Sequence, residues 1–322
     1  MQRNGTPAVR VLAAVLMLAG VVPPPPLSAQ VMSKAWTHPK TPWGDPDLTG
    51  MWPIDHMNGT PMQRPAEFGE RRLLTDQEFA SREAQLAATK VRLAGAWAEI
   101  GLPNRLTSLL VEPPDGRLPA LTEEGRRRSV TMTSTWSDML FTRIEDFNPL
   151  DRCITRGLPA SMFPFMYNSG IEILQAPGYV VIRLELIHET RIVPVDGRPP
   201  LPGSMRHWMG ESRGRWEGDT LVVETTNFNG RSPMTIVGPG GNPIPTSEAL
   251  RIVERFARTD DETIEYEISV EDPVVLVRPW KAAFPWKRNP AYYIYEYGCH
   301  EGNHAISNAL RNSRYLESQP AR

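Results

Sequence analysis

Thr263-Ile264-Glu265-Tyr266-Glu267-Ile268-Ser269-Val270 alternates polar and apolar residues without interruption. Successive strand side chains point to opposite faces, so Ile264, Tyr266, Ile268 and Val270 face a core, while Thr263, Glu265, Glu267 and Ser269 face outward. The same period of two spreads in both directions. Ile171 to Gln175 and Tyr179 to His188 flank Ala176-Pro177-Gly178 as a hairpin. Further strands fit Arg191 to Val195, His207 to Trp216, Thr220 to Phe228, Ala249 to Arg258 and Val275 to Phe284. Turn chemistry separates them at Asp196-Gly197-Arg198-Pro199, Glu217-Gly218-Asp219 and Thr259-Asp260-Asp261-Glu262. About eight strands joined by short turns predict a mainly β fold, an antiparallel meander that closes as a barrel or packs as two sheets to dispose of its edges. An eight-stranded barrel has room for one small ligand.

Upstream of residue 170 the pattern differs. Residues 30 to 72 are rich in Pro, Gly and Trp and hold no sustained period. Thr75 and Glu78 form a capping box that opens a helix with Phe79, Leu86, Val91, Leu93, Trp97 and Ile100 as its apolar candidates. A short helix is expected near Thr122, and another from Asn148, with Pro149 at its first position and Gly157 past its end. The expected organisation is a signal over residues 1–29, an irregular and helical region over 30–165, the barrel over 166–298, and a C-terminal helix and tail over 299–322.

Composition narrows the class. The 322 residues carry 35 basic and 37 acidic side chains, with 40% hydrophobic and 22% charged. That excludes a disordered chain, a collagen or a coiled coil. A net charge of -2 gives no electrostatic case for nucleic-acid binding. Arg3 and Arg10 precede the apolar run Val11 to Val22, and Leu27-Ser28-Ala29 ends in a small residue, which reads as an export signal. The run is too short to span a membrane, so a periplasmic or extracellular product without a transmembrane span is expected. Cys153 and Cys299, both downstream of the signal, are 146 residues apart. In an oxidising compartment they are candidates for a bridge, the alternative being two separate buried thiols.

Gly50-Met51-Trp52 resembles the G-x-W signature that opens lipocalin-type barrels, which implies a calycin-like fold. Here roughly 100 non-strand residues follow it, a departure from that family. Gly44-Asp45-Pro46-Asp47-Leu48-Thr49-Gly50, Asp151 to Pro159, Arg213 to Phe228 and Glu296 to Asn303 are similar to segments of a large uncharacterised family of secreted bacterial proteins. That resemblance implies export and a single structural unit, and it carries no chemistry.

Polar residues on apolar strand faces are the chemical candidates. Glu254 falls in the row Leu250, Ile252, Glu254, Phe256, and Glu224 in the row Val222, Glu224, Thr226, Phe228. His188 closes the row that begins at Val180. Buried carboxylates titrate high, in the range useful for acid–base work, unless arginines such as Arg191 or Arg206 pair with them. The roles expected are His188 or His300 as base, Glu254 or Glu224 as partner acid, and Arg206 or Arg191 as stabiliser of negative charge. His300-Glu301-Gly302-Asn303-His304 has the H-E-x-x-H spacing of zinc peptidases, with Glu301 as the base. Glycine in its middle position weakens the helix such a site needs. A metal could otherwise join His300 or His304 to His188 or His207. Trp208, Trp216, Trp280 and Trp286 read as barrel packing, or as a platform for a sugar or aromatic group. Three functions remain open: an exported lyase, isomerase or hydrolase acting on a small organic molecule; a carrier of an apolar, aromatic or haem ligand; and an envelope structural protein. The cofactor is left unknown, with zinc and haem possible.

Overall fold

The computed structural model describes residues 36–95, 98–129, 140–235 and 243–319. The compact unit discussed below runs from His38 onward. Its strands are β1 (Gly50–Met51), β2 (Leu110–Glu112), β3 (Ile171–Ala176), β4 (Tyr179–Leu184), β5 (Thr190–Pro194), β6 (Glu211–Glu217), β7 (Thr220–Thr226), β8 (Pro233–Thr235), β9 (Ile244–Pro245), β10 (Arg251–Asp260), β11 (Thr263–Glu271) and β12 (Trp280–Lys287). Its α-helices are α1 (Asp76–Arg92), α2 (Glu123–Ser129) and α3 (Ala305–Glu317). The fold is mainly β and antiparallel. No described helix is long and apolar enough to cross a membrane.

Two sheets form the core. One has the order β1-β3-β4-β5, and the other β2-β12-β11-β10-β7-β6. No ladder among the described residues joins them into a closed barrel. They meet side by side where β5 approaches β6. A Cβ added at Gly214 would lie 2.7 Å from Val195 Cγ1 and 2.9 Å from Val193 Cγ1, so only glycine permits that approach. Between the sheets the inward rows pack as expected: Ile264, Tyr266, Ile268 and Val270 are all buried. Tyr266 lies 4.6 Å from Trp286 and 5.1 Å from Phe256 between ring centroids. Trp52, of the Gly50-Met51-Trp52 motif, is fully buried and donates its indole N–H to Leu48 O at 2.8 Å.

Several expected boundaries move. The β4 strand ends at Leu184, because Ile187 (φ 62°) and His188 (φ 48°) turn left-handed and break the extended row. The Asn148 side chain does accept from Asp151 N at 2.9 Å, but no helix follows. Cys153 takes φ 54°, and Ile154 N donates to Pro149 O in a run of turns. The last strand begins at Trp280, after a turn at residues 273–276. The capping box of α1 is as expected, with Glu78 N donating to Thr75 Oγ1 and Thr75 N to Glu78 Oε2. That helix ends at Arg92, so Leu93 and Ile100 lie beyond it, and Trp97 lies outside the described residues.

Cys153 and Cys299 are bridged, with Cα atoms 5.6 Å apart and a sequence separation of 146. The bridge ties the extended segment 288–298 back to the turns after Pro149. For a loop this long, the loss of unfolded-chain entropy is worth up to about 5 kcal/mol, although measured values run lower. The paired substitution Cys153→Ser/Cys299→Ser is therefore expected to lower unfolding stability by about 2 to 5 kcal/mol in urea titration. A loss below about 0.5 kcal/mol would show that the bridge does not constrain the fold.

Candidate functional site

The residues singled out in the sequence separate rather than converge. Glu254 is fully buried, as its row required, and its partner is Arg191 from β5. Arg191 Nη1 donates to Glu254 Oε1 at 3.0 Å, Nη2 donates to Oε2, and the Tyr266 hydroxyl donates to Oε1 at 2.8 Å. Arg191 Nη2 also reaches Ser212 Oγ and Thr225 Oγ1, each at 3.3 Å. Burial opposes the charge on Arg191, but the facing Glu254 carboxylate outweighs it and raises the guanidinium pKa. Burial, with the Glu254 charge behind it, likewise raises the Tyr266 phenol. This is a bidentate, hydrogen-bonded ion pair packed between two sheets, and it holds their register.

Glu224 faces the opposite way. Glu254 pairs with Val223 in the ladder and Glu224 with Val253, and directly opposed residues share a face. Val223 and Glu254 therefore point inward, while Glu224 bonds Arg251 Nε at 2.6 Å on the outer surface. Arg206 is also exposed and donates to the carbonyls of Phe228 and Glu248. His188 is exposed, with Nδ1 3.0 Å from Tyr297 O. His207 is exposed as well. His300, Glu301 and His304 lie in exposed turns, with Gly302 at φ 69°, and α3 begins only after His304. The H-E-x-x-H spacing thus never becomes one helical face. Among the described residues no three His, Cys, Asp or Glu side chains group to hold a metal ion. Trp280 and Trp286 are core residues, not a platform.

The cavities lie instead on the outside of the sheets, against the N-terminal region. One is a chamber of about 690 Å3. Met57, Leu109 and Phe163 line one part of it, Leu86 and Thr89 of α1 another, and Glu99 and Arg156 also contribute. None of the α1 side chains is buried by the rest of the fold. The helix is pinned by polar contacts such as Arg82 Nη1 to Asn104 O at 2.9 Å. Arg156 is the unusual member of the wall. It is only 7% exposed, its Nη1 donates to Phe163 O at 2.9 Å, and its guanidinium lies 4.4 Å from the centre of the Phe165 ring. Its Nε has no hydrogen-bond partner among the described residues, and no carboxylate pairs with it. Burial lowers its pKa to about 10, with slight opposition from Tyr167.

The second cavity, of about 820 Å3, shares Glu99 with the first. There the Tyr292 hydroxyl lies 2.9 Å from Glu99 Oε1 and 2.7 Å from Glu185 Oε2. A phenol has one hydrogen, so only one of these contacts can be its donation. Glu185 also accepts from Asn168 Nδ2 (3.0 Å), Gly170 N (3.1 Å) and Tyr295 N (3.3 Å). Burial, aided by the charge of Asp55, raises the Glu99 pKa despite its bonds to Ser169 and Tyr292. The one phenolic hydrogen is therefore contested by the Glu99 and Glu185 carboxyl groups. Burial and the Glu185 bond raise the Tyr292 phenol well above its ordinary value. A Cβ at Gly170 would lie 2.6 Å from both Glu185 Oε2 and Tyr292 Cε1, so a glycine makes this cluster possible.

Sequence reasoning missed Glu99, Arg156 and the tyrosine segment. Half of the chain's eight tyrosines fall within Tyr292-Tyr293-Ile294-Tyr295-Glu296-Tyr297, a concentration that could have marked it. Nothing about Arg156 in the sequence distinguishes it from the other arginines. No family profile, curated protein or solved structure matches this chain.

Two measurements check this assignment. Removing one member of a buried pair leaves an uncompensated charge, so Glu254→Gln is expected to cost about 3 to 5 kcal/mol, and Arg191→Met/Glu254→Leu together should recover most of it. If the double variant is no more stable than the single one in urea titration, the pair does more than hold register. Glu189 provides the second. Burial pushes its carboxyl up from 4.5 to about 7, against smaller opposing contributions from Thr155 and the Arg156 amide. Because the folded pKa is the higher one, the unfolded chain ionises first as pH rises through 4.5, and the folded state loses stability until about pH 7. Glu189→Gln should therefore be neutral below pH 4.5 and stabilising by on the order of 2 to 3 kcal/mol at pH 8. A pH-independent difference would contradict the buried carboxyl.

Proposed function

We propose that the protein binds a small organic acid with a large apolar body, seated in the 690 Å3 chamber with its anionic end on Arg156. The observation that carries this reading is a guanidinium nearly excluded from water in an apolar wall, with neither a carboxylate partner nor a bond at Nε among the described residues. Burying such a cation is costly unless something pairs with it, and a ligand carboxylate offers the bidentate geometry guanidinium groups favour. Helix α1 supports the same reading, because its Leu86 and Thr89 face the chamber without being buried by protein. The volume suits a molecule of drug-like or fatty-acid size. Within this proposal the protein is exported, in keeping with the apolar run after Arg10 and with the disulfide. The two sheets are then halves of a calycin-like barrel whose interior is filled by side chains, leaving the ligand outside.

A second reading is acid–base chemistry on that ligand, favoured by one specific observation. Glu99, at the junction of the two cavities, has its pKa raised by burial and is linked by hydrogen bonds through Tyr292 to Glu185. A carboxylic acid whose pKa is raised by burial is better suited to donate a proton.

The chamber is tested by calorimetric titration with decanoate and 2-naphthoate, each beside its uncharged alcohol. At least one acid is expected to bind with a dissociation constant near or below about 10 μM, and more tightly than its alcohol. Arg156→Met should weaken the acid by at least tenfold, about 1.4 kcal/mol, and leave the alcohol unchanged. Leu86→Trp, at a half-buried site on α1, should exclude both. Equal affinity for acid and alcohol, or no binding of either acid, would overturn the reading. Loss of chemical conversion but not of binding in Glu99→Gln would establish the second one.

A further inference from the structure

The tyrosine cavity is not used by the chamber reading, and its chemistry is different. Five of its ten lining residues are tyrosines, and among the described residues no Lys, Arg or His lines it. We propose that this cleft is a separate binding site for a neutral saccharide chain, held by Tyr293 and Tyr295.

The two side chains are 74% and 71% exposed, although the backbone that carries them is fixed. Tyr292 N donates to Asn289 O, Tyr295 N donates to Glu185, and the Tyr297 carbonyl is held by His188 Nδ1. Two residues further on, Cys299 is bridged to Cys153. Large aromatic rings displayed by a pinned backbone are preorganised contact surfaces, and their exposure costs hydration free energy unless something covers them.

Charge then selects the occupant. An anion would find no cationic side chain in the lining. An organic cation would need a free negative charge, but Glu185 is 2% exposed with its acceptor sites filled by four donors, and the Glu99 oxygens already face the Tyr292 hydroxyl and Ser169 N. A hydrocarbon would lie against amides: Asn168 Oδ1 and Asn289 Nδ2 line the same cleft and make no hydrogen bond among the described residues. What remains is a neutral molecule with C–H faces for the rings and hydroxyls for the amides and phenols, which is a sugar chain. The cleft, of about 820 Å3 and lined from residues 167–185 and 289–297 with Glu99, has room for a chain rather than a single ring.

The site is tested on the full mature protein by calorimetric titration with the hexasaccharides of cellulose, starch, xylan and chitin. At least one is expected to bind with a dissociation constant between about 10 μM and 1 mM. Tyr293→Ala/Tyr295→Ala should lose at least tenfold of that affinity, Tyr293→Phe/Tyr295→Phe should retain it within about threefold, and Arg156→Met should not change it. Both positions are exposed, so the alanine variant is expected to melt with the wild type, and a melting curve checks this. Because Arg156 lies outside this cleft and Tyr293 and Tyr295 lie outside the chamber, either reading can fail alone. Three results would overturn the proposal: no hexasaccharide bound at about 5 mM, an alanine variant that binds like the wild type, or choline bound in preference to every sugar.

Discussion

The carboxyl group of Glu185 accepts hydrogen bonds from two other stretches of chain and so joins three, and the tyrosine-lined cleft is built around that meeting point. Asn168 and Gly170 come from the approach to β3, Glu185 from the end of β4, and Tyr292 and Tyr295 from the segment after β12. Four donors meet one buried carboxyl group here, so removing either donor segment would leave buried polar groups unpaired. The left-handed turn at Ile187 and His188 follows from the same constraint. After β4 the chain must turn away at once if the Glu185 side chain is to stay beneath Gly170, and His188 N closes the turn on Glu185 O. The disulfide at Cys299 holds the third segment in place from its far end.

The interior uses its polar residues differently. Arg191, Glu254, Tyr266, Ser212 and Thr225 satisfy one another between the two sheets, and the aromatic rings of Phe256, Tyr266 and Trp286 pack around them. A closed network of this kind fixes register, since slipping one residue would strand the Glu254 charge against apolar side chains. The same filling removes the space in which a barrel would hold a ligand. The cavities are displaced to the surface where α1, the segment around Glu99 and the turns after Cys153 cover the sheets.

How far the sequence could be read follows from which strands carry an unambiguous phase. In Thr263–Val270 every second residue is apolar, and in Leu250–Phe256 the apolar residues fix Glu254 inward, so both were legible. In β7, Leu221, Val222 and Val223 are all apolar and all buried, which leaves the phase undetermined within the strand. Only pairing with β10 turns Glu224 outward. The pairing of Cys153 with Cys299 was legible from the count of two and from the export that the N-terminal run led us to expect. Glu99, Arg156 and Asn168 were not, because none belongs to a periodic element, and their significance arises from contacts between residues far apart in sequence. The Tyr292–Tyr297 run alternates like a strand, yet no neighbouring strand pairs with it among the described residues.

Glu99 links the two surfaces electrostatically as well as sterically. Among the described residues, Arg156 and Glu99 are the only ionisable side chains that line the chamber, and Glu99 and Glu185 the only carboxylates that line the cleft. Burial raises the Glu99 pKa, which favours its protonated form and lessens the opposition to the Arg156 charge. Ionising Glu99 would place a carboxylate in the same chamber wall as Arg156 and add a negative charge to the cleft. The phenol of Tyr292 acts in the other direction, since its hydrogen bond lowers the Glu99 pKa. It has one hydrogen, however, and cannot donate to Glu99 and Glu185 at once. Competition for that one phenolic hydrogen thus couples the two walls, the chamber we propose for an anion and the cleft we propose for a neutral molecule.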